Sequence, residues 1–387
     1  PHPMTKKRLA VFLDGTWNTP ESATSVHRLH QATVAGVAPD GIEQRTFYRT
    51  GVGTKWSERI RGGAFGVGLS RNVLAAYRWL AENHADGDEI YLFGFSRGAY
   101  TARSLGGVIV NCGLLRKGAT LTPDDIYERY RAGKKVEPIY RLEYLRNSGE
   151  RALDDAEKQL LADSRRVRVH MLGVWDTVGA LGVPWTAVPL VGKKEFYFHN
   201  TNPSTIYDHC YHALAVDEHR GPYKPTFWTR FTPEGKDPAS DPHAPPPVIE
   251  QRWFVGAHSN VGGGYTDDRL CTIPLAWMQR KAADLGLAFS AALQPGPDDI
   301  AGKPVDSFAR FMKGAYRFFR LGKRYYRPIG APSRQVRKGW STSISETVDA
   351  SVFGKYQTDP GYRPRNLEDW ARARGLDLAA TSGDQKA

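Results

Sequence analysis

Short, almost wholly apolar runs punctuate this chain, and several of them stop abruptly at a polar residue. Residues 8–13, 89–93, 167–175 and 252–255 are such runs. They are too short for helices and apolar at successive positions, so they read as strands covered on both faces. Residues 46–48 are a further strand candidate. Between the runs, 70–84 places Val73, Leu74, Tyr77 and Leu80 at helical spacing, 99–110 reads as a helix with small residues on one face, and 274–285 as a closing helix. The glycine-rich stretch 62–68 reads as a flexible loop. Its glycines do not follow the dinucleotide fingerprint, which leaves a phosphate cradle at the following helix as the weaker reading. Residues 120–163 are polar with helical periodicity and suggest an insertion on the rim, while 185–247, rich in Pro, aromatics and His, suggest a second one near the mouth of a site. No internal repeat is visible, and the polar tail after Arg374 reads as frayed. Strands alternating with helices predict an α/β fold with a mostly parallel, doubly wound sheet. Active sites in such sheets lie at the carboxyl ends of the strands, and Asp14, Ser96, Asp176 and His258 each follow a predicted strand end.

That placement gives Gly94-Phe95-Ser96-Arg97-Gly98 its meaning. Gly-x-Ser-x-Gly is common by chance, but strand, motif and small-residue helix together form the nucleophile elbow of α/β-hydrolases. A serine hydroxyl needs a base to take its proton, and the base needs an acid to hold its tautomer. The partners in this architecture follow in the order serine, acid, histidine, which selects Asp176 and then His258 in its loop Gly256-Ala257-His258-Ser259-Asn260-Val261-Gly262-Gly263-Gly264-Tyr265. Asp217 is the substitute acid. The oxyanion donors would be the N–H of Arg97, after the nucleophile, and that of Gly15 or Thr16, after the first strand, with Asp14 ordering that loop. Each residue also has a plainer reading: Ser96 as a capping serine in a glycine turn, Asp176 as a helix N-cap, His258 as a structural loop histidine. His170 lies inside a strand and reads as core. His209, His212 and His219 read as lying on a helix of the second insertion; without an acidic cluster nearby they make a weak metal site, and no metal or other cofactor is expected. Asp14-Gly15-Thr16 also resembles the end of a phosphatase motif, but Phe12 stands where that chemistry needs its nucleophilic aspartate.

Composition narrows the surroundings. The chain has 387 residues, 41% of them hydrophobic, enough for one large α/β domain with insertions, and global disorder is excluded. Its three cysteines, Cys112, Cys210 and Cys271, are far apart and read as thiols in a reducing compartment. No run approaches the ~20 apolar residues of a membrane span, and the basic start lacks a secretory apolar region. The expectation is synthesis in the cytoplasm, with export by a signal-peptide-independent route left open. Pro1-His2-Pro3 reads as an appended remnant before Met4. A net charge of +12 favours anionic partners. Residues 308–326 interleave aromatics with Arg and Lys; the segment suits an anionic membrane surface, a nucleic-acid groove, or a surface helix with one face on the core. Nucleic acid is not the expected partner.

Taken in order, Phe12-Leu13-Asp14-Gly15-Thr16-Trp17-Asn18, Gly94-Phe95-Ser96-Arg97-Gly98-Ala99, Val174-Trp175-Asp176-Thr177-Val178 and the His258 loop resemble the motifs of one family. Val216-Asp217-Glu218-His219-Arg220 and Tyr362-Arg363-Pro364-Arg365-Asn366-Leu367 are also similar to it. The family is an α/β-hydrolase domain family, long catalogued as of unknown function, that includes the catalytic domain of bacterial type VI secretion phospholipase effectors. Asn260 stands where Asp is common in it. The resemblance spans roughly residues 7 to 370. It implies phospholipase A-type activity with Ser96 as nucleophile, Asp176 as acid and His258 as base, and, for an effector, an inhibitor or delivery protein as partner. The rival readings are a carboxylesterase for a soluble or polymeric ester, and a non-catalytic binding protein on a hydrolase scaffold. The expected organisation is a single domain over 7–370 with helical insertions at about 115–165, 185–247 and 295–350, and a tail over 371–387.

Overall fold

The apolar runs become neighbouring strands of one sheet in the computed structural model, which describes residues 6–15, 23–51, 64–178, 206–234, 248–266, 268–310, 323–330, 334–336 and 339–387. In chain order the strands are β1 (Lys7–Leu13), β2 (Gly36–Val37), β3 (Glu43–Arg49), β4 (Glu89–Phe95), β5 (Leu114–Leu115), β6 (Ser164–Arg165) and β7 (Val169–Trp175). They continue as β8 (Tyr207–Ala215), β9 (Thr229–Pro233), β10 (Val248–Phe254), β11 (Arg334–Val336), β12 (Gly339–Ser343), β13 (Glu346–Val348) and β14 (Gln385–Lys386). The helices are α1 (Ser25–Ala32), α2 (Ala64–Asn83), α3 (Arg97–Cys112), α4 (Pro123–Ala132), α5 (Ile139–Ser148) and α6 (Asp155–Asp163). After them come α7 (His258–Gly262), α8 (Thr272–Asp284), α9 (Pro297–Ala301), α10 (Ser307–Arg310), α11 (Ala350–Thr358) and α12 (Arg365–Arg374).

Nine strands form the main sheet in the order β14-β13-β10-β8-β7-β4-β1-β3-β2. From β13 to β3 every pairing is parallel, and the short edge strands β14 and β2 run antiparallel. This is the expected mostly parallel, doubly wound α/β-hydrolase-like sheet. Strand alternation divides the core. Leu9, Val11, Ile90 and Leu92 enter a layer with α2, α3 and the helices α4 to α6. Ala10, Phe12, Tyr91 and Phe93 enter the opposite layer with Val26 and Leu29 of α1 and Leu275 and Met278 of α8. A third cluster joins Leu214, Trp253 and Val348 to Phe353, Leu367 and Trp370 of the C-terminal helices.

Several expectations are corrected. The segment holding His209 and His212 is no helix; it is β8, an inner strand with β7 on one side and β10 on the other, and His219 lies in the loop after it. The insertion expected over 185–247 therefore contains core sheet, and its parts at 185–205 and 235–247 lie outside the described residues. The 295–350 region is not purely helical: β13 extends the main sheet, and β11, β12 and β9 form a small antiparallel sheet. The tail is docked, since β14 pairs with β13 and Asp384 accepts from Arg252 at 2.7 Å and from the Ala350 N–H at 2.9 Å. Of the glycine-rich stretch, the residues from 64 onward already belong to α2, and 62–63 lie outside the described residues. All three cysteines are buried and free. No helix among the described residues is long and apolar enough to cross a membrane.

Candidate active site

Ladder hydrogen bonds continue one residue beyond three adjacent strands: Asp14 N–H to Arg49 O (3.0 Å), Ser96 N–H to Trp175 O (3.1 Å) and Asp176 N–H to Ala213 O (2.8 Å). Asp14, Ser96 and Asp176 thus lie side by side at the carboxyl edge. β1 and β4 also mark the switch point, because the chain builds β3 on one side of β1 and then β4 on the other; crevices form there in such sheets.

Ser96 has φ 57° and ψ −118°, a strained conformation for a non-glycine residue. The strand-to-helix turn around it is tight. A Cβ on Gly94 would lie 2.5 Å from Gly98 O, and one on Gly98 would collide with Leu13 O of β1. Both positions therefore need glycine to seat α3 against the end of β1.

The Ser96 Oγ lies 2.8 Å from His258 Nε2, and His258 Nδ1 lies 2.6 Å from Asp176 Oδ2. His258 opens α7 after β10, and its backbone N–H donates to Glu218 Oε2 at 3.2 Å. The ring sits between Phe95 and Tyr223, with centroids 4.7 and 5.0 Å away. Burial pushes the imidazole pKa down; Asp176 pulls it up without overcoming that, so the net shift is below the ordinary 6.5. The ring is therefore neutral near pH 7 and able to accept a proton. Asp176 is 0% exposed. Burial alone would raise its pKa, but the Arg327 charge and the His258 bond outweigh it and hold the carboxyl below the usual range.

Arg327 went unnoticed in the sequence. It is fully buried and grips Asp176 with both guanidinium ends, Nη1 to Oδ1 at 2.5 Å and Nη2 to Oδ2 at 2.9 Å. Glu218 and Arg220 were visible only as part of a motif. Glu218 accepts from Arg220 Nε and Nη2 at 2.8 and 2.7 Å and from Ser307 Oγ. Burial raises its pKa, and the bond to Arg220 more than reverses this. The pair braces the backbone of His258. Behind Asp176, His212 Nε2 accepts the Thr177 N–H at 3.1 Å. His212 Nδ1 lies 3.3 Å from both Gln251 Oε1 and Arg103 Nη2.

Asp217 does not meet His258. Its Oδ2 accepts from the Gly256 N–H at 2.7 Å and from Tyr362 Oη at 3.0 Å, so the substitute acid is instead a brace for the His258 loop. Burial pushes its pKa up to about 6. Asp14 is buried and accepts from Thr24 Oγ1 (2.5 Å), Tyr48 Oη (2.9 Å) and the Gly15 N–H (2.8 Å), in keeping with a loop-ordering part. That last bond engages Gly15, one of the expected oxyanion donors. Thr16, the other, lies outside the described residues. Arg97 is the first residue of α3, directly after Ser96. Asn260 accepts from the Ala257 and Val305 N–H groups and donates to Asp268 at 3.2 Å, a donation that an Asp in its place could make only if protonated.

His170 and His209 are on neighbouring strands with rings 5.5 Å apart and their edges partly accessible, rather than deep in the core. His209 and His212 are three apart on a strand and so face opposite sides of the sheet. Among the described residues no group of three or more His, Cys, Asp or Glu is placed to hold a metal ion. Of the 308–326 segment, 311–322 lie outside the described residues. The visible end places Tyr326 4.9 Å from the His219 ring and Lys224 5.2 Å over Tyr325, beside Tyr223.

The family model for the catalytic domain of Tle1-like phospholipase effectors of type VI secretion systems matches residues 7–281. An uncharacterized protein of Saccharomyces cerevisiae is 26% identical over 245 residues, which is 59% of this chain and 33% of that protein. An uncharacterized Pseudomonas aeruginosa protein of known structure has 17% identity and a TM-score of 0.39, over 81% of this chain and 51% of that one. A Tle1 effector solved bound to the VgrG spike has 16% identity and a TM-score of 0.37, over 69% and 52%. The chain thus spans a third of the yeast protein and about half of each solved chain.

Proposed function

This chain belongs to the family of Tle1-like catalytic domains of type VI secretion phospholipase effectors, and from that premise we propose that it is a serine hydrolase of lipid acyl esters, phospholipids first among them. The observation that carries the reading is the unbroken line Ser96 Oγ, His258, Asp176, with separations of 2.8 and 2.6 Å, at the switch point of the sheet. Ser96 Oγ attacks the ester carbonyl while His258 Nε2 takes its proton. Asp176 holds Nδ1 protonated and stabilises the imidazolium that results. The oxyanion donors in this reading are the N–H of Arg97, following the elbow, and that of Gly15 or Thr16 after β1; the Gly15 N–H is engaged by Asp14. The imidazolium returns the proton to the leaving alcohol or lysophospholipid. A water, deprotonated by His258, then releases the fatty acid and restores Ser96.

Family membership favours a lipid substrate. The basic and aromatic surface formed by Lys224, Tyr325 and Tyr326 beside Tyr223 is suited to an anionic bilayer. Delivery by an export partner, or restraint by an inhibitor, belongs to the same reading.

The test incubates wild type and Ser96→Ala with vesicles of phosphatidylglycerol and of phosphatidylethanolamine, and with a short-chain nitrophenyl ester, and quantifies released acid. Serine-dependent fatty acid release from vesicles is the expected result. Serine-dependent cleavage of the short ester alone would move the substrate to a soluble or polymeric ester. Turnover unchanged in Ser96→Ala would end the reading of Ser96 as nucleophile, and salt-sensitive vesicle binding without turnover would leave a binding protein.

A further inference from the structure

We propose that Arg327 is a positioning residue of this site: its guanidinium neutralises and orients Asp176, so that the chain beyond the family match completes the catalytic array. The inference rests on the Ser96 reading above. Residue 327 lies well past residue 281, where the match ends.

Asp176 has a crowded carboxylate. Oδ1 accepts from Arg327 Nη1 and from the Ala215 N–H at 3.1 Å, while Oδ2 is shared between Arg327 Nη2 at 2.9 Å and His258 Nδ1 at 2.6 Å. A carboxylate with 0% exposure and only a neutral imidazole as side-chain partner would favour protonation, and a protonated acid no longer stabilises imidazolium. Arg327 supplies the missing charge, and its planar fork fixes the carboxylate plane as an ammonium could not. The guanidinium is itself held: Nη1 also donates to Ala215 O at 3.0 Å and Nη2 to Tyr223 O at 2.6 Å. Tyr223 carries the ring packed against His258. The amide of Asn366, in α12, donates to both Arg327 O and Val216 O at 3.1 Å. An anchor from the last helix thus holds the backbone of the residue that grips Asp176.

The charge makes a directional demand. Asp176 and His258 share a proton whose loss, from whichever group holds it, becomes harder when a buried cation beside the pair is removed. Replacing Arg327 by a neutral residue must therefore raise the pH at which the pair gives up that proton. A brace that only fills space would not move it.

The experiment compares wild type, Arg327→Met and Arg327→Lys in full-length protein by three measurements. These are thermal unfolding, the pH profile of kcat/KM on a short-chain ester, and titration of the His258 ring by NMR of 15N-histidine-labelled protein, assigned by its loss in His258→Gln. Arg327→Met is expected to raise the His258 titration and the acid limb by about one pH unit. Its kcat should fall ~10²- to 10⁴-fold, the upper end matching a neutral acid in a serine triad. Arg327→Lys keeps the charge and loses the fork, so its titration should stay near wild type while kcat falls with little change in KM. A His258 titration in Arg327→Met that matches wild type overturns the proposal, whatever happens to stability. If Arg327→Met does not fold, Arg327→Lys decides: wild-type kcat overturns it, and lowered kcat with retained titration supports it. Loss of Ser96 dependence would sink the hydrolase reading alone, because the titration still reads the coupling of Arg327 to His258.

Discussion

Adding one methyl group at Gly98 should damage turnover far more than stability. A Cβ there would lie 2.6 Å from the Leu13 carbonyl carbon and 2.7 Å from that of Asp14. Relaxed carbon pairs sit at ~3.5–4.0 Å, so something must retreat by about 1 Å. β1 is held by ladders to β3 on one side and β4 on the other. The yielding element is therefore α3, whose first turn carries the Ser96 elbow. Overpacking costs ~1–3 kcal/mol, and exchanging glycine for alanine in a helix returns up to ~1 kcal/mol. The net loss is at most about 3 kcal/mol. At ~2.1 cal/mol/K per residue, 387 residues unfold with an entropy of ~0.8 kcal/mol/K, so Tm should drop by no more than about 4 °C. On the proposed mechanism, displacing Ser96 by about 1 Å costs on the order of 10²-fold in kcat. The assay is thermal unfolding beside short-ester turnover for Gly98→Ala, with Gly354→Ala as the comparison. Gly354 lies inside α11 with nothing within 4 Å of its would-be Cβ; Gly354→Ala should be neutral or slightly stabilising and fully active. Wild-type kcat in Gly98→Ala would refute the reasoning, because it would mean that α3 and Ser96 do not depend on this close approach.

Two further predictions concern protons. The depressed pKa of His258 means the imidazole is still neutral at pH 6.5, so kcat/KM on a soluble ester should fall to half only below that pH; an acid midpoint above 7 would contradict the buried setting. Asp217, raised to about 6 by burial, binds a proton more tightly folded than unfolded. Its contribution is thus fully present below its unfolded pKa of ~3.9 and is lost as pH rises through about 6. Asp217→Asn keeps acceptors for Gly256 and Tyr362 and should flatten that decline, by ~1–3 kcal/mol relative to wild type between pH 4 and 7, read from urea unfolding at several pH values. Parallel pH profiles for the two proteins would refute it.

The runs that become β1, β4 and β7 were legible because strands buried on both faces must be apolar at nearly every position, a local property of the chain. The elbow was legible for a related reason: Gly94 and Gly98 answer to contacts made within one tight turn and the strand beside it. Ser96, Asp176 and His258 could then be picked out from the order of strand ends. β8 was hidden by its composition. Tyr207-Asp208-His209-Cys210-Tyr211-His212 looks polar, yet His212 is buried because Thr177 and Gln251, distant in sequence, supply its hydrogen bonds. The tail misled in the same way, since β14 depends on a two-residue pairing with β13 and on Arg252 reaching Asp384.

Sequence by itself determined the parallel α/β sheet, the tight turn that holds Ser96 and the order of the residues that follow the strand ends, because these rest on short-range patterning and on where glycine is sterically required. Tertiary structure alone decided which charges go inside. In the sequence Arg327 is one more basic residue at the end of a basic stretch, and Asp217 reads as a substitute acid for Asp176. Folding separates them: Asp176 is brought to His258 and to a buried guanidinium, while Asp217 is brought to a backbone N–H and a tyrosine. A charge can be buried only where a partner from elsewhere in the chain offsets its desolvation, and no local pattern records where that partner will come from.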